Sequence, residues 1–189
     1  TKKLRGYQKK AIENAVEYFK SDKEHHDRGK LIMAPGTGKT FTSLKISEAL
    51  MRDQMKNKFN VLYLVPSIQL LSQTLFNWND DVSDDIHMTS FSVVSDRKAT
   101  KKTRNDDSIL TAKDVGFPAT TNVDELINNY NSLKELNINR EMTVVFSTYQ
   151  SIDVIKKAQE FGYPEFDLII ADEAHRTTGA NKLNEDSMF

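Results

Sequence analysis

The segment Pro35-Gly-Thr-Gly-Lys39-Thr40 places two glycines, a lysine and a threonine between a short apolar run (residues 30–33) and a long helical pattern. Small residues let a backbone curl around a chain of phosphates. Successive N–H groups then turn inward, and the start of the following helix adds partial positive charge. Lys39 suits the β- and γ-phosphates of a nucleoside triphosphate, and the Thr40 hydroxyl suits Mg²⁺. Pro35, Gly36, Thr37, Gly38, Lys39 and Thr40 are therefore the expected phosphate-binding residues. The general pattern GxxxxGK[ST] asks for glycine where this chain has Met33. A second constellation is Leu168-Ile-Ile-Ala-Asp172-Glu173-Ala-His175, an apolar strand that delivers two adjacent acids at its C-terminal end. Open α/β sheets bind ligands at that edge. Asp172 is expected to hold Mg²⁺, directly or through water, and Glu173 to orient or deprotonate an attacking water. With four histidines and no cysteine, His175 belongs to no recognisable set of metal ligands. The plainer readings are a glycine-rich turn before a helix and an acidic turn after a buried strand. Both lose force because the two constellations occur together.

Apolar spacing supplies the elements that must hold these residues. Ala11, Ile12, Ala15, Val16 and Phe19 recur at helical spacing and predict a helix over 6–19. The polar stretch 20–29 reads as a loop, and a helix is expected from 40 to about 55. Residues 60–65, Asn-Val-Leu-Tyr-Leu-Val, form a near-continuous apolar run, as in strands buried on both faces. Pro66 and Ser67 then open a helix to about residue 78, with Ser67 as N-cap and Ile68, Leu71, Leu75 and Trp78 on one side. Further strands are expected over 87–94, 142–147 and 168–171, with helices over 124–136 and 151–161. Strands alternating with helices predict an α/β fold: a mainly parallel sheet with helices on both faces. The pattern weakens over 95–140, which reads as an insertion. It contains a basic cluster of Arg97, Lys98, Lys101, Lys102 and Arg104, expected either to be solvated or to grip DNA phosphates.

The chain has 189 residues, which fits a single domain. Its 26 basic and 27 acidic side chains give a net charge of −1, which excludes a globally basic nucleic-acid binder but not a local basic face. No apolar run approaches the roughly 18 residues of a membrane helix. The charged N-terminal stretch gives no sign of a secretory leader. Zero cysteines exclude a disulfide scaffold and are compatible with the cytoplasm. Because it starts at Thr1, the chain is expected to be a piece of something longer.

Asp172-Glu-Ala-His175 resembles the DEAH box of superfamily-two helicases and translocases, and Met33-Ala-Pro-Gly-Thr-Gly-Lys-Thr40 is similar to their motif I. The restriction-enzyme branch often opens that motif with Met-Ala, and Arg176 after the box is typical of it. Leu4-Arg-Gly-Tyr-Gln8 resembles the element that precedes motif I, in which the glutamine reads adenine. A carboxamide can donate to N7 and accept from N6 in one plane. The alternative for Gln8 is an exposed helix residue. Val65-Pro66-Ser67 resembles motif Ia, and Thr148-Tyr149-Gln150-Ser151 a later DNA-contact motif. For both, the alternative is a plain strand-to-helix turn.

The resemblance implies a three-layer, RecA-like P-loop NTPase lobe that uses ATP and Mg²⁺. Lys39, Asp172, Glu173 and His175 would be catalytic, and Pro66, Ser67, Thr148, Tyr149 and Gln150 would contact nucleic acid. It further implies movement along duplex DNA, as in the motor subunits of type I and related single-chain restriction-modification enzymes. A second RecA-like lobe, with its arginine finger, is not found in the chain. The isolated lobe is accordingly expected to hydrolyse ATP weakly or not at all. The alternative from another class is a nucleotide-binding regulatory or assembly module without motor activity. A P-loop kinase or AAA-type ATPase fits less well, because of Gln8 and the full DEAH box.

Overall fold

The computed structural model describes residues 2–20, 29–33, 38–94 and 120–172. The chain begins with α1 (Gly6–Lys20), β1 (Gly29–Met33) and α2 (Lys39–Asp53). It continues through β2 (Lys58–Val65), α3 (Ile68–Asp81) and β3 (His87–Val93). After these come α4 (Val123–Lys134), β4 (Glu141–Thr148), a 3₁₀ turn (Tyr149–Ser151), α5 (Ile152–Glu160) and β5 (Leu168–Asp172). The five strands form one sheet in the order β1-β5-β2-β4-β3, and every pairing is parallel. Parallel neighbours need crossover connections, and the helices that make them cover the sheet.

The sheet separates two cores because side chains alternate along each strand. On one face Phe59, Val61, Tyr63 and Val65 of β2 pack with Leu44 and Leu50 of α2 and Leu71, Leu75 and Trp78 of α3. Ile12, Ala15, Val16 and Phe19 bring the apolar side of α1 onto the same core. On the other face Leu62 and Leu64 of β2 meet Phe91, Val145, Leu126 and Leu133 of α4, and Ile155 of α5. All eight residues of β4 are buried, as are six of the last seven of β2, so neither strand shows a polar side.

Element boundaries moved where local geometry overrides apolar spacing. The helix α2 stops at Asp53 instead of near Met55, because Met55 adopts φ +52° and turns the chain. The Lys56 N–H then bonds back to the Met51 carbonyl at 3.2 Å, in the manner of a left-handed helix stop. At the other end, α3 runs three residues past Trp78 through polar Asn79, Asp80 and Asp81. Ser67 is its N-cap, its hydroxyl accepting from the Leu70 N–H at 3.3 Å. Within the region read as an insertion, α4 packs Leu126, Tyr130 and Leu133 into the second core, so this part belongs to the body of the domain. The basic cluster over 97–104 lies outside the described residues.

Candidate functional site

The C-terminal edge of the sheet gathers the chemistry. Cα pairing sets Met33 opposite Asp172, Leu64 opposite Ala171, and Val65 opposite Thr148. The residue before the phosphate loop, the first acid of the DEAH box and both strand-end turns therefore stand at one level. Lys39 and Asp172, separated by 133 positions in sequence, meet with Nζ 2.6 Å from Oδ1. The Asp172 side chain is 4% exposed and that of Lys39 17%, so this is a largely desolvated, charge-assisted contact. Lys39 is the first residue of α2, whose first turn contains no acid to offset its positive end. Gly38 precedes it at φ +82°, a left-handed conformation that costs any residue with a Cβ. On β2, Tyr63 is fully buried, and its hydroxyl has no well-formed hydrogen bond among the described residues. Burial pushes its phenol up to about 12; the Ser43 hydroxyl beside it acts in the opposite direction, and the Asp172 charge adds to the rise.

Gln8 is 4% exposed, unlike the surface residue that its helix alone would suggest. Its Oε1 accepts from the Arg5 N–H at 2.9 Å, and its Nε2 donates to Thr42 Oγ1 at 3.0 Å and to the Gly38 carbonyl at 3.4 Å. Thr42 Oγ1 donates to that same carbonyl at 2.8 Å. The carboxamide thus joins α1 to the end of the phosphate loop. Beside it opens a cleft of about 400 Å³ lined by Lys2, Arg5, Tyr7, Thr40, Phe41 and Asn77. Its two aromatic rings and the edge of a buried carboxamide suit a flat heterocycle.

Of the expected nucleic-acid residues, Pro66 and Ser67 directly follow β2, while Thr148 ends the neighbouring β4 and Tyr149 and Gln150 open the 3₁₀ turn after it. Thr148 is 4% exposed, and its hydroxyl lies 3.0 Å from that of Ser151. Thr148 therefore braces the turn from within. Pro35, Gly36, Thr37, Glu173 and His175 lie outside the described residues.

The family model for the type III restriction enzyme res subunit matches residues 1–187. The chain belongs to this res-subunit family. No match was found among curated proteins. Among solved structures, the res-family lobe is 54% identical to a nuclease-deletion mutant of the type ISP restriction-modification enzyme LlaGI in complex with a DNA substrate mimic (TM-score 0.74). That match covers 93% of this chain and 15% of LlaGI. It is 52% identical to the ATP-dependent type ISP enzyme LlaBIII bound to DNA (TM-score 0.72), over 97% of this chain and 11% of that one. The lobe thus spans less than a sixth of either enzyme. Its fold is the parallel α/β sheet that the strand and helix pattern implies, in the RecA-like form that the motif resemblance implies.

Two contacts in this res-family lobe were not foreseen from sequence. The Trp78 indole N–H donates to the Thr40 carbonyl at 3.1 Å, tying α3 to the first turn of α2. The Tyr149 hydroxyl donates to the Asp172 carbonyl at 3.0 Å. Both acceptors are main-chain atoms of the two residues expected to hold Mg²⁺. Trp78 was expected only on the apolar side of its helix, and its acceptor is a backbone atom 38 positions away in sequence. Apolar spacing carries no record of such a partner.

Proposed function

We propose that the chain is the ATP-binding motor lobe of a cytoplasmic restriction-modification enzyme that hydrolyses ATP to move along duplex DNA. The observation that carries this reading is the meeting of Lys39 Nζ with Asp172 Oδ1 at 2.6 Å, at the edge where the strand-end turns gather. Lys39 would transfer its charge from the carboxylate to the γ-phosphate when ATP arrives. Oxygen donors from Thr40 and Asp172 would hold Mg²⁺, and the position already accepts a cation, since a lysine ammonium sits on Asp172. Mg²⁺ would neutralise charge building on the phosphate oxygens. Glu173, next along the chain, would orient the attacking water, with His175 completing the box. Gln8 would read adenine by giving up its bond to Gly38 or Thr42, and the nearby cleft would take the base. Pro35, Gly36, Thr37 and Gly38 would cradle the phosphates.

DNA would lie across Pro66, Ser67, Thr148, Tyr149 and Gln150, a reading supported by the similarity to LlaBIII bound to DNA and to LlaGI in complex with a DNA substrate mimic. The second lobe would add an arginine finger, a group worth about 10³–10⁵ in rate in such enzymes. In the longer enzyme, Lys39→Ala should lower DNA-stimulated ATP hydrolysis by about 10²–10³-fold, as when other donors to transition-state charge are removed. A phosphate-release assay showing a near-normal rate for this variant would contradict the assignment of the site. DNA that binds without raising the ATPase rate would favour a regulatory module.

A further inference from the structure

The contact between Tyr149 and Asp172 bridges two regions with separate duties. Tyr149 opens the 3₁₀ turn after β4, at the edge where DNA is proposed to lie, yet its hydroxyl reaches inward to the Asp172 carbonyl at 3.0 Å. The strands β4 and β5 are not neighbours: β2 lies between them, so the two strand ends are about 9–10 Å apart. A long side chain with a donor at its tip spans that gap past the end of β2, where Pro66 and Ser67 begin. The carbonyl it holds belongs to the peptide group that leads from Asp172 into Glu173. Asp172 is 3% exposed, and its carboxylate is on Lys39 at 2.6 Å. One residue therefore has its side chain on the phosphate-loop lysine and its main chain on the turn proposed to meet DNA. Turning the Asp172 carbonyl away would break the Tyr149 bond and re-aim the acid that follows.

We propose that Tyr149 is a positioning residue that couples DNA occupancy to the ATP site, its hydroxyl fixing the peptide between Asp172 and Glu173. This rests on the function proposed above. A DNA phosphate that settles on the Tyr149–Ser151 turn locks the tyrosine, and the tyrosine locks the peptide that carries the water-orienting acid. Coupling of this kind is reciprocal. If DNA changes nucleotide affinity by some factor, nucleotide changes DNA affinity by the same factor.

The test uses Tyr149→Phe in the longer enzyme, a change that keeps the ring and removes only the hydroxyl. The affinity of a non-hydrolysable ATP analogue with Mg²⁺ is measured with and without duplex DNA, and duplex affinity with and without the analogue. In the wild type the two ratios should agree, at about 5–150-fold as for typical coupled sites. In the variant both ratios should shrink together, by about fivefold or more. A variant that binds either ligand more weakly but keeps the wild-type ratios would overturn the proposal and leave Tyr149 as a plain contact or brace. A wild type that hydrolyses ATP but shows ratios near one would also overturn it. A wild type that neither hydrolyses ATP nor binds DNA would sink the function reading beneath it, which is a distinguishable result.

Discussion

At Gly38 one hydrogen atom separates a working loop from a blocked one. An added Cβ would lie 2.9 Å from Gln8 Nε2 and 3.4 Å from the Tyr7 hydroxyl, on a backbone already at φ +82°. Gly38→Ala should therefore cost about 1–2 kcal/mol in backbone strain alone. It should also push Gln8 off its partners and weaken ATP binding by roughly tenfold, or about 1.4 kcal/mol. Titration calorimetry with ATP checks this, and wild-type affinity in the alanine variant would contradict it. The Lys39–Asp172 pair sets a second condition on the resting site. Its geometry and low exposure make it more than a screened surface pair, so a nucleotide must offer Lys39 a better partner than the carboxylate it leaves. A triphosphate would do so under the proposed function, because the lysine would then meet several oxygens and the carboxylate would be free for the proposed Mg²⁺.

Among the elements, α3 links the two ends of the site most directly. It starts at the Ser67 cap beside β4, and eleven positions later the Trp78 indole holds the Thr40 carbonyl at 3.1 Å. Trp78 also stacks edge-on against Tyr63 and Phe146, with ring centroids 5.5 and 5.7 Å away. Trp78→Phe should lose the hydrogen bond and part of this packing, at about 2 kcal/mol, and lower Tm by roughly 4–8 °C. Calorimetric melting tests this, and an unchanged Tm would show that α3 is anchored elsewhere. Much of this architecture was legible in the sequence. Strands buried on both faces, such as Asn60–Val65, announce themselves as apolar runs, and Ser67 signals its helix start by chemistry. The end of α2 was not legible, because Met55 takes a left-handed conformation that nothing in its side chain requires. The extension of α3 was missed because Asn79, Asp80 and Asp81 carry no apolar signal. Burial of Gln8 was also hidden. Its neighbours on α1 are mostly exposed, and only the long-range contact with Gly38 and Thr42 encloses it.

At the scale of the whole, the described residues form one parallel sheet between two helical layers, with Lys39, Asp172 and the strand-end turns on a single edge. This arrangement would let a chain of net charge −1 serve the proposed polyanion. The contacts proposed for DNA are strand-end turns and a helix start, which offer backbone N–H groups and hydroxyls rather than bulk positive charge. Under the proposed function one lobe would bind nucleotide better than it turns it over: Lys39 meets Asp172 and Gln8 lines a cleft with Thr40, whereas the arginine that would stabilise transition-state charge is assigned to a second lobe. The central claim is ATP-driven movement along duplex DNA, and displacement of a third strand from a distant triplex site measures it most directly. The longer enzyme should displace the third strand only when ATP is supplied, and Lys39→Ala should abolish displacement while the protein remains folded. Displacement that persists in the Lys39→Ala enzyme, or that proceeds equally well without ATP, would contradict the account.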